Sequence, residues 1–115
     1  MTVRRMKSYT GGQGYVYQYY FVGKRDTKSS TEYVFDVSSD RKSTYAVSVF
    51  LPTQSLAEWA GNHHRNLTEA EQYGAVKMRL FQAFDDIEDM MADGRKLLVD
   101  PATLENLLTT LGVES

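Results

Sequence analysis

From Tyr15 to Leu51 the large apolar side chains recur at every second residue, and beyond Pro52 they recur at steps of three and four. A chain that changes its hydrophobic period once, near its middle, is not an alternating α/β protein. It has to lay segregated helices against a sheet built from its first half. The expected fold is therefore α+β: an antiparallel three-stranded meander, with room for a fourth strand, followed by helices of which one is long and packs on the sheet. At 115 residues, with 42% hydrophobic and 24% charged side chains, one domain is expected. It divides into a strand-rich part over 1–51 and a helical part over 52–115.

The strands fall at Tyr15 to Lys24, Glu32 to Ser38 and Thr44 to Leu51, each dense in aromatic and β-branched residues. The connections Arg25 to Thr31 and Ser39 to Ser43 are short, which makes consecutive strands antiparallel neighbours. Val3 to Tyr9 is the candidate fourth strand, at an edge. By the period-two rule Tyr15, Tyr17, Tyr19 and Phe21 share a face with Tyr33, Phe35, Val37, Tyr45, Val47, Val49 and Leu51. The opposite face carries Val16, Gln18, Tyr20, Val22, Glu32, Val34, Asp36, Ser38, Ala46, Ser48 and Phe50. It is mixed rather than polar.

Pro52 ends the strand region because it lacks the donor that a ladder requires. A short helical turn is expected from Gln54 to Ala60, with Leu56 and Trp59 on one side, and then a loop from Gly61 to Asn66. Thr68 and Glu71 have capping-box spacing, and Tyr73, Val76, Leu80, Phe84, Ile87 and Met91 form a stripe at steps of three and four. The long helix is thus expected from Thr68 to Met91. That length is roughly 36 Å, against about 27 Å for an eight-residue strand, so the helix should overhang its sheet. The last helix has Asp100 as cap, Pro101 at its first position and Gly112 past its end, with Leu104, Leu107, Leu108 and Leu111 as its apolar stripe.

Composition removes several classes of function. With no cysteine the chain has no disulfide, thiolate metal site or cysteine nucleophile. No apolar run reaches the roughly 18 residues of a membrane span. The basic N-terminal residues are not followed by an apolar stretch, so no signal peptide is expected and the chain is read as cytoplasmic. Charge divides unevenly: eight Lys/Arg and four Asp/Glu over 1–51 give +4, and five against eleven over 52–115 give −6, which recovers the net −2.

The chemical motifs are each incomplete. Gly11-Gly12-Gln13 resembles, over three residues, the motif with which peptide-chain release factors reach the ribosomal peptidyl-transferase site. A tyrosine strand follows at once, so the segment reads as a loop. The same glycines do not make a phosphate cradle, because no helix N-terminus follows them. The pair His63-His64 has the wrong spacing for the commoner zinc motifs and reads as a solvated loop. Asp85, Asp86, Glu88, Asp89 and Asp93 form an acidic run on a helix surface, where carboxylates are normally hydrated; the pattern of a calcium loop is missing. No serine-nucleophile motif is present.

Three functional readings follow. The leading one is a non-catalytic binding or self-association module, a homodimer or a partner of another protein, without cofactor or metal; its basis is an apolar surplus on the second sheet face and on the overhanging helix. The second is a nucleic-acid module in which Tyr17 and Tyr19 stack on bases while Arg4, Arg5, Lys7, Lys24, Arg25, Arg41 and Lys42 engage phosphates. The third is a small enzyme with a site near the His63-His64 loop.

Overall fold

The computed structural model describes residues 6–113. Nine elements follow in order: β1 (Lys7–Thr10), β2 (Val16–Asp26), β3 (Ser30–Ser38), β4 (Tyr45–Pro52), α1 (Thr53–His63), α2 (Glu69–Asp86), α3 (Met90–Asp93), β5 (Lys96–Leu98) and α4 (Pro101–Leu111). The strands form one sheet in the order β1-β2-β3-β4-β5. The first four make an antiparallel meander, and β5 joins parallel to β4 with Val49 beside Leu97. The fourth strand does lie at an edge, pairing Tyr9 with Tyr17. The part of the expected strand before Met6 lies outside the described residues.

The tyrosine-rich face is the buried one. Tyr17, Tyr19, Tyr33, Phe35, Val37, Tyr45, Val47, Val49 and Leu51 all join one core with Trp59, Val76, Leu80, Phe84, Leu104 and Leu108 from the helices. Helix α2 holds the sheet through rings: Phe84 stacks on Tyr17 at 4.3 Å and 6°, and Phe81 stacks on Tyr9 at 4.4 Å and 4°. Its first half packs Tyr73 against Phe21 at 5.0 Å. Each such pair adds about 0.5–1.5 kcal/mol beyond the area it buries. A β-bulge between Phe21 and Gly23 shifts the register by one residue. Beyond it Lys24, not an apolar residue, stands opposite Tyr33 and lies over its ring at 5.7 Å.

The capping box of α2 forms as its spacing predicts. Thr68 Oγ1 accepts from Glu71 N at 3.2 Å, and Glu71 Oε1 accepts from Thr68 N at 2.9 Å. Arg65 adds a two-pronged pair, donating to both Glu71 oxygens at 2.9 Å. The Arg65 guanidinium, helped by the Thr68 N–H, pulls the Glu71 carboxyl down from 4.5 to about 2. A depressed carboxyl stabilises the fold above its unfolded pKa and ceases to do so as pH falls through the folded one. Glu71→Gln is therefore expected to lower the thermal midpoint at neutral pH and to flatten its fall between about pH 4.5 and 2, where the wild type loses this interaction. Thermal melts across that range check it; parallel curves for the two proteins would refute it.

Three expectations are corrected. The long helix stops at Asp86, with Ile87 extended at its C-cap, so it is 18 residues long, about 27 Å, and does not overhang its strands. Carboxylates explain the stop: Asp85 and Asp86 crowd the negative end of the helix dipole, and no basic residue lies in the last turn. Asp89 then accepts from Ala92 N at 3.1 Å and starts the single turn α3, which buries Met90 and leaves Met91 exposed. The short turn after Pro52 is longer than expected and runs to His63, because Trp59 is buried and His63 stacks on it at 4.2 Å. The loop consequently begins only at His64, which closes α1 in the left-handed conformation at φ 58°. Finally, the sheet has a fifth strand, which no local period announces.

Candidate functional site

No described helix lies against the second face of the sheet. The helix α4 packs on α1 and α2, on the tyrosine side. Register places the residues of that face in rows: Val16, Gln18 and Tyr20 on β2, Glu32, Val34 and Asp36 on β3, Ala46, Ser48 and Phe50 on β4, Lys96 and Leu98 on β5. Apart from Glu32 these side chains are half-buried or exposed, with Val16 39% and Leu98 52% accessible. Val22, 49% accessible, stands beside them at the bulge. A self-contained monomer would set polar side chains on such a face, giving clean alternation along each strand. Here Val16, Tyr20, Val34, Phe50 and Leu98 interrupt it.

A polar clamp crosses the same face. Glu32, 7% accessible, accepts from Arg25 Nε at 2.7 Å on one side and from Ser48 Oγ at 2.6 Å on the other. The bonds from Ser48 and Arg25 outweigh burial and hold the Glu32 carboxyl below its usual range, so it is charged at neutral pH. This clamp ties β2, β3 and β4 together and leaves no exposed surplus charge from Glu32. With Arg25 and Lys96 against Glu32 and Asp36, the face carries two charges of each sign.

The remaining candidates are dispersed. Tyr17 and Tyr19 are 1% and 5% accessible, each packed beneath α2, so neither ring has a free face for a base. Lys24 lies 3.6 Å from Glu69 and Arg25 is held by Glu32. Lys7 is exposed on the edge strand, and Arg41 and Lys42 are exposed in the β3–β4 loop. That loop lies at the far end of β3 from Lys24 and Arg25, a strand of nine residues or roughly 30 Å away. Arg4 and Arg5 lie outside the described residues. His63 Nε2 hydrogen-bonds to Glu105 at 2.8 Å, which joins α1 to α4, whereas His64 is exposed. Among the described residues no group of three His, Asp or Glu side chains is arranged to hold a metal ion.

The acidic run divides into separate parts. Asp85 accepts from Tyr9 Oη at 3.0 Å and from Gly12 N at 2.9 Å, fastening the β1–β2 loop to the end of α2. Gly11 is needed for that approach, since a Cβ there would come within 2.6 Å of the Phe84 carbonyl oxygen. Gly11 thus has a packing role. Gly11→Ala is expected to cost about 1–3 kcal/mol, the usual range for forcing atoms into a filled site, while Gly12→Ala, whose Cβ would meet Asp85 at an ordinary 3.7 Å, should cost less. Urea unfolding of the two variants tests the order. Glu88, Asp89 and Asp93 are grouped around α3 instead.

No family model, no characterised protein and no solved structure matches this chain. The functional reading therefore rests on the molecule's own surfaces. Among the described residues no helix is long and apolar enough to cross a membrane.

Proposed function

We propose that this protein is a non-catalytic binding module that self-associates through the second face of its sheet, two copies meeting face to face in the cytoplasm. The observation that carries this reading is the sheet face on which no described helix lies, with Tyr20, Val34 and Phe50 among its residues.

Area supports a second copy as the occupant. Strands of four, eleven, nine, eight and three residues, at about 3.4 by 4.8 Å per residue, give a face of roughly 570 Å². Two such faces bury about 1,100 Å² in total, just past the roughly 1,000 Å² of a specific interface. Charge supports it too. An isologous contact places a surface against itself, so a face of one sign would repel its copy; the described residues of this face carry both signs. Edge-to-edge pairing is the weaker route, because the edge strands have only four and three residues.

Light scattering during size-exclusion chromatography, over a dilution series down from tens of micromolar, tests the reading. The expected result is a dimer mass that falls towards the monomer on dilution. A strict monomer at the highest concentration would remove it.

A further inference from the structure

At the end of the sheet where β2 begins lies an open recess of about 540 Å³. It is distinct from the docking face, and pieces of chain distant in sequence build it. Tyr15 just precedes β2 and Tyr17 lies at its start, and Glu88, Asp89, Asp93 and Met91 come from the segment around α3. Tyr15 is 47% and Met91 51% accessible, so an aromatic ring and a thioether are both open to solvent at its mouth.

Two observations indicate what it would take. Among the described residues Glu88, Asp89 and Asp93 are in no ion pair. They are also not arranged to close on a metal ion. Three carboxylates without a cation, walled by an aromatic ring and a thioether, suit a larger organic cation better than an inorganic one. Independently, Tyr17 lines the recess and is 1% accessible, with its ring fixed by the stack on Phe84. Its hydroxyl has no hydrogen-bond partner among the described residues; burial, and then the neighbouring Tyr45, Tyr15 and Asp89, disfavour its ionisation. The side chain is buried, yet its hydroxyl is not among the sealed, unpartnered groups of the core and keeps its access at the recess, where a ligand can reach it.

We infer that this recess binds a primary alkylammonium group, of the kind borne by a lysine side chain or a linear diamine. The ammonium sits among Asp89, Glu88 and Asp93 and donates to the Tyr17 hydroxyl oxygen, while the methylene stem lies along Tyr15 and Met91.

The test is a titration of the ¹⁵N-labelled chain with Nα-acetyl-lysine N-methylamide and, separately, with 1,4-diaminobutane, read by backbone amide shifts. Saturating shifts confined to Tyr15–Tyr17 and Glu88–Asp93 are expected with at least one probe, and the tighter probe tells a peptide-borne amine from a free one. Asp89→Asn keeps an oxygen to cap Ala92 N–H but removes the charge, and should weaken binding roughly tenfold or more. Tyr17→Phe keeps the stack and should weaken binding several-fold without lowering the thermal midpoint, since the hydroxyl it removes is bonded to nothing. Asp86→Asn, outside the recess, should bind as the wild type does. Shifts that fail to saturate with both probes would overturn the inference. Equal weakening by Asp86→Asn and Asp89→Asn would do so too, because it describes a diffuse ion atmosphere. So would a Tyr17→Phe variant that unfolds more easily yet binds unchanged.

Discussion

Replacing Phe84 by alanine is expected to reduce the unfolding free energy by about 3–5 kcal/mol, the range for deleting a fully buried aromatic ring. Phe84 has no accessible surface and touches the sheet at its centre of aromatic contacts: it stacks on Tyr17 and lies 5.8 Å from Tyr9, 6.3 Å from Tyr19 and 6.4 Å from Phe81. Little can collapse into the space left behind, because the rings around it are fixed to two strands and to the next turn of α2. A domain of this size is stable by about 5–15 kcal/mol, so the variant would retain a small margin. Phe84→Leu, which keeps most of the volume, should cost less than half as much. Urea midpoints for the three proteins check the order, and a Phe84→Ala midpoint close to the wild type would show that α2 does not hold the sheet through this ring.

Phe50→Asp is expected to abolish the dimer at concentrations where the wild type forms it, weakening association by about 30-fold or more if Phe50 carries the roughly 2 kcal/mol of an interface hot spot. Phe50 lies opposite Glu32 on β3 and beside Leu98 on β5, on the second face of the sheet. The new carboxylate would lose the apolar contact and stand beside Glu32, which is already ionised. It would also meet its own copy across a two-fold axis. Since a charge in mid-strand can loosen the fold as well, Leu98→Lys provides a second route. Leu98 is at the edge and half exposed, so its replacement should leave the thermal midpoint of the monomer in place and still weaken the dimer. If both variants keep the wild-type mass, the sheet face is not the interface.

Much of the fold was legible because its determinants are local. Alternation over Tyr15 to Leu51 marked three strands and the buried face, since a one-residue slip would have sent every tyrosine to the wrong side. The capping box Thr68-Glu71 and the Asp100-Pro101 start each appear in the structure where their spacing placed them. The candidate sites were less legible. The tyrosines that suggested base stacking are the ones the core needs, and their exposure could be known only once α2 was seen to cover them. Tyr17 also lines the recess beside α3, which its place in the alternating pattern does not reveal.

By itself the sequence determined the α+β class, the meander and the caps, because hydrophobic period and terminal hydrogen bonds act over a few residues. Only the tertiary structure decided where α2 ends, that Lys96–Leu98 pairs parallel with β4, that α4 packs on the other helices instead of on the second sheet face, and that Tyr17 and Asp89 line one recess. Each of these depends on contacts between segments tens of residues apart, as Tyr9 meets Asp85 across 76 positions. Such contacts are selected by the shape of the whole core and leave no periodic trace in the chain.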